Sequence, residues 1–131
     1  MTRLHRYLAR LQDTILSRQE VETKAIEIFD RSDKIGQTSE FYARLGFYDG
    51  SELQVMEKLM IERYILVKPR YVYHYQQADG SLVFRYDNAP HHPEIETYPH
   101  HKHIGAQVVA ALPPDLSEVL REIDGILYPQ R

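Results

Sequence analysis

The stretch Ser39-Glu40-Phe41-Tyr42-Ala43-Arg44-Leu45-Gly46-Phe47-Tyr48-Asp49-Gly50 carries the clearest secondary-structure signal in the chain. Apolar residues alternate in it with polar ones or tyrosine; the apolar set is Phe41, Ala43, Leu45 and Phe47. Because successive side chains of a strand point to opposite faces of a sheet, this alternation predicts a strand with one buried face. Asp49-Gly50 then favours a tight hairpin turn, since both residues adopt positive φ readily.

The flanking sequence extends this hairpin into a sheet. Apolar alternation predicts about five strands in all, over residues 21–30, 39–48, 52–67, 70–76 and 82–87. Residues 52–67 also fit a helix, but the hairpin turn before them favours a strand. Further turns are expected at 32–37 and 78–81. Short connections between successive strands predict a mostly antiparallel meander.

Amphipathic helices are predicted at both ends of the chain. Apolar residues recur at helical spacing within residues 3–18, and again after Asp115, which forms a capping-box pattern with Glu118. Pro129 ends the second helix. We therefore predict one α+β domain over residues 1–131, with an N-terminal and a C-terminal helix on one face of the sheet. We expect the two apolar stripes to exceed what that face covers, leaving a surplus for a partner protein or for a homodimer.

Composition excludes several classes of protein. The 131 residues carry a net charge of -3, so a strongly basic nucleic-acid binder is not indicated. There are no cysteines, which excludes disulfides and thiolate metal sites. No apolar run approaches the ~20 residues that span a bilayer. A cytoplasmic protein with no membrane partner is expected.

Histidines concentrate after the last predicted long strand. Five of the seven histidines fall between His91 and His103, in two groups separated by a segment bounded by prolines. Imidazole titrates near neutral pH and is also a common metal ligand, so this segment is predicted to be a proline-stiffened reactive or ion-binding loop. Arg85 and Asp87 project from one face of the strand that leads into it.

RNA cleavage without a cofactor is the first hypothesis for this loop. Two histidines can serve as the general base and general acid for attack of a ribose 2′-hydroxyl on the adjacent phosphate. Arg85 or Lys102 would stabilise the charged transition state, and Asp87 would fix a histidine tautomer. Tyr73 is a further substrate-binding candidate because an exposed tyrosine ring can stack on a base, although most of the ten tyrosines are expected to pack the sheet.

Two alternatives use the same residues differently. His101 and His103 would point the same way in an extended segment, so with Asp87 and either His91 or His92 they could bind a divalent metal such as Zn²⁺ in a hydrolase or nuclease. The histidines could also serve a non-enzymatic surface that binds RNA or protein. His5 and His74 lie outside the cluster and are assigned structural roles, unless folding brings His74 close.

The chain resembles the TumE-like toxins of bacterial and archaeal toxin–antitoxin systems. The resemblance rests on Asp87-Asn88-Ala89-Pro90-His91-His92-Pro93 and Tyr98-Pro99-His100-His101-Lys102-His103-Ile104-Gly105. It extends to Tyr71-Val72-Tyr73-His74-Tyr75, Ala78-Asp79-Gly80, Phe84-Arg85-Tyr86, Asp49-Gly50 and the last helix. It implies a small toxin that acts as an RNA nuclease and pairs with a DNA-binding antitoxin. The family motif falls on Arg85, Asp87, His91, His92, His100, His101, Lys102 and His103.

These observations together predict a toxin-like endoribonuclease. His101 and His103 are the first candidates for acid and base, and the remaining catalytic candidates are His91, His92, His100 and Asp87. Arg85 and Lys102 are expected to bind the phosphate. We expect no metal cofactor, because arginine and lysine supply the positive charge.

Overall fold

A computed structural model describes residues 2–33 and 36–130 of the protein. These residues form a helix, seven consecutive strands and a second helix. The elements are α1 (Arg3–Leu16), β1 (Glu22–Asp33), β2 (Gly36–Gly46), β3 (Glu52–Glu62), β4 (Ile65–Gln76), β5 (Leu82–Asp87), β6 (His101–Ile104), β7 (Gln107–Ala110) and α2 (Leu116–Leu127). None of the helices described is long and apolar enough to cross a membrane.

The strands lie in chain order β1 to β7, and every neighbouring pair is antiparallel. This confirms the predicted α+β meander with a helix at each end. The sheet has seven strands rather than about five. The two additional strands are β6 and β7, so His101, Lys102 and His103 lie in the sheet and not in a loop. The predicted turn at 32–37 includes residues 34 and 35, which lie outside the described residues.

The predicted strand over 52–67 divides at a turn that its sequence does not mark. Arg63 and Tyr64 have φ values of 49° and 70°, the left-handed conformation that a two-residue hairpin turn requires. Neither residue is glycine, asparagine or aspartate, so the usual signal is missing. Pro69 lies inside β4, where the register with β3 shifts between Lys58 and Met60. Proline has no N–H to donate to a neighbouring strand, so it is tolerated at such a bulge, where the hydrogen-bond ladder is interrupted.

One face of the sheet forms the core with both helices. The fully buried large side chains there include Phe41, Leu45, Leu53, Leu59, Tyr71, Tyr73, Tyr75 and Phe84. The apolar stripes of α1 and α2 pack into this core and are themselves buried. Of the apolar residues in the two helices, Leu16 of α1 and Ile126 of α2 remain exposed, at 65% and 48%. The opposite face, which we call the open face, carries no helix.

A buried carboxylate organises the polar side chains of the core. Glu57 is fully buried and accepts hydrogen bonds from the hydroxyls of Tyr7, at 2.6 Å, and Tyr73, at 2.5 Å. Lys68 Nζ lies 3.7 Å from the same carboxylate and 2.6 Å from Tyr73 Oη. Burial and the Glu57 charge raise the pKa of both tyrosines, so both hydroxyls keep their protons and remain donors.

Two adjacent residues at the end of α1 test how much the core stabilises the fold. Ile15 is fully buried, whereas Leu16 is 65% exposed and has a side chain of similar volume. Ile15→Ala should lower the free energy of unfolding by about 2–5 kcal/mol, because it leaves a cavity. Leu16→Ala should change it by no more than about 0.5 kcal/mol. Urea denaturation of both variants measures the difference, and equal losses would contradict the assignment of the core face.

Candidate functional site

The candidate site lies on the open face where β4, β5 and β6 run side by side. The strand register aligns His74 with Arg85 and Arg85 with His103. The neighbouring row aligns Val72 with Asp87 and Asp87 with His101. Directly paired residues of antiparallel strands project from the same face. The register therefore brings together side chains from three strands. Alternation within β5 had predicted this proximity only for Arg85 and Asp87.

Three imidazoles converge at this site and form what we call the histidine cluster, His92, His101 and His103. The ring centroids of His101 lie 4.9 Å from those of both His92 and His103, and all three rings meet edge to face. One ring nitrogen of each lies within 4.8 Å of the others. His101 and His103 come from β6, whereas His92 comes from the segment between β5 and β6.

The segment that carries His92 is anchored at both ends. Asn88 is buried, accepts a hydrogen bond from Tyr71 N at 3.0 Å and donates one to Pro69 O at 3.0 Å. Near the other end, Thr97 Oγ1 donates to His100 O at 2.5 Å and accepts from Ala111 N at 3.0 Å. These bonds fix where the chain leaves β5 and enters β6, and so hold His92 over the two β6 histidines.

The tautomer of His101 follows from its backbone contact. Its Nδ1 lies 2.8 Å from Pro99 O, and a carbonyl oxygen can only accept. In the neutral ring Nδ1 therefore carries the hydrogen, and Nε2 has a lone pair available. His101 is only 2% exposed, which contrasts with the polar loop expected from the sequence. Burial and the neighbouring His101 lower the pKa of His103, so that this ring gives up a proton readily.

Asp87 holds two arginines at the site. Its Oδ1 accepts from Arg70 Nη1 and from Ala89 N, both at 2.7 Å, and its Oδ2 accepts from Arg85 Nε at 3.0 Å. Burial favours a raised pKa for Asp87, but the Ala89 amide and the two guanidinium groups bring that pKa below its usual value. The sequence assigned Asp87 to orienting a histidine; its hydrogen bonds within the described residues go instead to the arginines and a backbone amide.

Arg70 and His74 are site residues that the sequence analysis did not select. Arg70 bridges Asp87 and Asn88, at 2.7 and 3.0 Å, and His74 Nδ1 lies 3.3 Å from Arg85 Nη1. The signal was available in the alternation of β4, where Arg70, Val72 and His74 share the face opposite to the tyrosines. Placing His74 beside Arg85 also required the register of the β4–β5 hairpin, which shifts between Tyr75 and Gln76.

Four of the predicted site residues lie away from the histidine cluster. His91 is exposed, and it makes none of the described contacts with the rings of the cluster. His100 stacks on Tyr71, with ring centroids 5.8 Å apart, and its Nδ1 lies 2.9 Å from Tyr71 Oη. Lys102 projects from the helix-bearing face and donates to Glu122 at 2.6 Å. Tyr73 is fully buried in the core beside Glu57, so no ring surface is exposed for stacking on a base.

The fixed charges of the site include two guanidinium groups beside the imidazoles. Arg70, Arg85 and Asp87 together carry one net positive charge, and the exposed Glu94 lies 3.5 Å from His92 Nδ1. Arg85 and Arg70 keep about a third of their side-chain surface exposed, at 34% and 29%. Planar guanidinium groups match the oxygens of a phosphate. The site therefore presents two partly exposed guanidinium groups beside three imidazoles.

The histidine cluster also fits a transition metal in part. Three histidine nitrogens with one open position are typical of catalytic zinc, and His101 makes the backbone contact that usually orients a metal-binding imidazole. Tetrahedral ligands at zinc distances are about 3.4 Å apart. The cluster nitrogens lie within 4.8 Å of one another, so they would have to approach by up to about 1.4 Å to bind zinc.

The fold and site define an α+β protein whose antiparallel sheet is covered by helices on one face and carries a cluster of three histidines beside two arginines on the other. The chain matches the family model described as Toxin TumE over residues 11–127, and it belongs to this family. It is thus a toxin of the toxin–antitoxin type, with an antitoxin protein as its partner. Comparison with curated proteins and with solved structures found no match.

The protonation state of His74 gives a pH test of the site. Arg85 can only donate to Nδ1, so Nε2 carries the hydrogen and donates to Gln76 at 3.0 Å. Burial and the Arg85 charge lower the pKa of His74. As pH falls below about 6.5, the unfolded chain binds the proton first, and stability decreases.

His74→Gln should reduce this loss of stability. We expect the fall in the free energy of unfolding between about pH 7.5 and pH 5 to be smaller in the variant than in the wild type. His5→Gln, on the exposed side of α1, is the matched control. Denaturant titrations at several pH values measure the effect, and an unchanged fall in His74→Gln would refute the assigned proton positions.

Proposed function

We propose that this toxin is an endoribonuclease that cleaves RNA at the histidine cluster by acid–base catalysis. The observation that carries the proposal is the placement of three imidazoles beside an arginine pair with a net positive charge. That combination supplies a proton acceptor, a proton donor and a phosphate ligand on the open face, where His101 is buried and His92 and His103 are partly exposed. Cellular RNA as the substrate implies action in the cytoplasm, and the antitoxin would restrain it.

His101 is the proposed general base. The Pro99 carbonyl holds the hydrogen of the neutral ring on Nδ1, so the Nε2 lone pair is the one available to accept a proton. The base removes the proton of a ribose 2′-hydroxyl while that oxygen attacks the adjacent phosphorus. Backbone anchoring keeps the lone pair aimed in one direction, which lowers the cost of reaching the reactive geometry.

His103 is the proposed general acid, with His92 as the third member of the proton-sharing cluster. Burial and the neighbouring His101 lower the pKa of His103, so its protonated ring releases a proton readily. In the proposed step His101 is neutral and His103 is protonated. The acid protonates the departing 5′-oxygen, which leaves a 2′,3′-cyclic phosphate on one product and a free 5′-hydroxyl on the other.

Arg85 is the proposed ligand of the phosphate oxygens. It lies opposite His103 in the register, and Asp87 holds its Nε while part of the guanidinium remains exposed. Arg70 adds positive charge from the other side of Asp87. Fixed guanidinium groups stabilise the charge that develops on the phosphorane without reorganisation during the reaction. Lys102 and Tyr73, which face the helices, are not part of this proposed site.

Substitution of the cluster tests the catalytic roles. His103→Ala should reduce cleavage on the order of 10² to 10⁴-fold, the usual cost of losing a general acid or base. His101 is buried, so His101→Gln is the better replacement there, with the unfolding midpoint measured to confirm the fold. His5→Ala should retain full activity. Cleavage of a labelled RNA, followed by mass spectrometry of the products, is the measurement.

The same assay separates the mechanism from its alternatives. A bell-shaped pH profile and a 2′,3′-cyclic phosphate product are expected, and an RNA with a 2′-deoxy residue at the cleaved position should resist cleavage. Products with a 5′-phosphate would overturn attack by the ribose hydroxyl. If the wild type cleaves RNA no faster than both cluster variants, catalysis at the cluster is refuted. A non-enzymatic binding role for the site would then remain.

A metal-dependent hydrolase is the second candidate, favoured by the convergence of the cluster nitrogens. When bound, Zn²⁺ would activate a water molecule and polarise the phosphate. Under the main proposal, dialysis against EDTA should leave the cleavage rate unchanged, because arginine supplies the positive charge. The protein for this test should be purified without a nickel column. Loss of activity that zinc or manganese restores, together with about one metal ion per chain, would establish the second candidate.

A further inference from the structure

A broad groove lies on the open face beside the histidine cluster. It has a volume of about 980 Å³ and is lined by residues that include Phe29, Tyr42, Met56, Val72, His74 and Arg85. Phe29 is half exposed, and Tyr42 and Met56 are partly exposed. The helices cover the opposite face of the sheet, so these side chains are not needed for the core. The groove and the candidate site share His74 and Arg85.

Two rows of side chains run without interruption from the groove into the site. The register aligns Tyr42 with Met56, Met56 with Val72, Val72 with Asp87 and Asp87 with His101. The parallel row ends in His74, Arg85 and His103. Because strands are spaced about 4.8 Å apart, Tyr42 lies roughly 19 Å from His101 across the sheet. A chain of a few nucleotides covers that distance.

We propose that this groove binds the single-stranded RNA segment next to the cleaved phosphate, with bases stacked on Tyr42 and Phe29. The inference rests on the proposed ribonuclease function. A phosphate at Arg85 and His103 lies on the open face, and β7 beyond the cluster is only four residues long. An RNA strand that extends from the site in the other direction crosses β4, β3 and β2, and therefore lies in the groove.

The aromatic residues suit base stacking. Phe29 and Tyr42 meet edge to face, with ring centroids 5.8 Å apart and an angle of 74° between the rings. Such an arrangement presents ring surfaces in two orientations at the far end of the groove. Exposed aromatic rings on a sheet whose other face is covered by helices are a general solution for holding unpaired bases.

The charges of the groove indicate that stacking, rather than electrostatic attraction, supplies most of the affinity. Arg31, Arg44 and Arg85 are balanced by Glu27, Asp30 and Glu40 among the lining residues. At the candidate site Arg70 is a further positive charge, and it pairs with Asp87. Each phosphate contact contributes about -0.7 to the slope of log affinity against log salt for a single strand, so we expect a slope no steeper than about -2.

Alanine variants of the two aromatic residues test the groove. For a single-stranded RNA of about ten to fifteen nucleotides, Tyr42→Ala and Phe29→Ala should each raise the KM roughly ten- to a hundredfold, with little change in kcat. For a dinucleotide substrate, which reaches only the cleaved bond, kcat/KM should be unchanged. Tyr42→Phe should behave like the wild type because it keeps the ring.

Tyr64→Ala is the matched control, since Tyr64 is 88% exposed at the β3–β4 turn and does not line the groove. Anisotropy of a fluorescein-labelled RNA in the His103→Ala background measures binding separately from cleavage.

Persistent cleavage with an unchanged KM in both groove variants would overturn the inference while leaving the ribonuclease function standing. Weakened antitoxin binding with unaltered RNA binding would also overturn it and assign the groove to the antitoxin. Absence of both RNA binding and cleavage in the wild type would refute both proposals.

Discussion

The Asp87 carboxylate is the interaction on which the candidate site depends. It is buried, and it joins Arg70 from β4, Arg85 from β5 and the Ala89 amide at the start of the histidine-bearing segment. A buried charge left without its partners is strongly destabilising, so the arginines and the carboxylate stabilise one another. The same three bonds fix the position of the positive charge relative to His101 and His103. Structure and proposed chemistry thus depend on one group.

The alternation of side chains across the sheet separates stability from chemistry. In β4 the tyrosines enter the core while Arg70, Val72 and His74 face outward, and in β6 the two histidines face outward while Lys102 packs over Tyr86. A slip of one residue would exchange the faces of a whole strand. The large core residues on one face therefore hold the register that aligns the site on the other. The Glu57 carboxylate contributes to this by accepting hydrogen bonds from the hydroxyls of Tyr7 and Tyr73.

Local pattern was sufficient for most of the fold. The strand around Phe41, both capped helices and the order of the meander follow from periodicity and turn residues, because those signals act over a few positions. The β6 and β7 strands are only four residues each, too short for a periodic signal. The hairpin at Arg63 and Tyr64 uses residues that rarely adopt positive φ, so composition gave no sign of it.

The site was harder to predict because it is assembled from distant parts of the chain. Sequence spacing placed His101 and His103 together correctly in principle, since residues two apart on a strand share a face. It could not show that His92 rather than His91 joins them, because that depends on how the intervening segment turns. His74 and Arg70 belong to the site only through the register of three strands, and Lys102 is excluded from it by the same register.

Net charge and local charge lead to different conclusions in this protein. A chain with a net charge of -3 does not attract RNA over its whole surface, and the balanced groove does not either. Two guanidinium groups are instead held beside the imidazoles by one buried carboxylate. A nuclease of this design would recognise the phosphate where it is cleaved and hold the remaining strand by its bases. Its preference among RNAs would then depend on which bases are unpaired and free to stack, since duplex RNA shields its bases from a flat sheet.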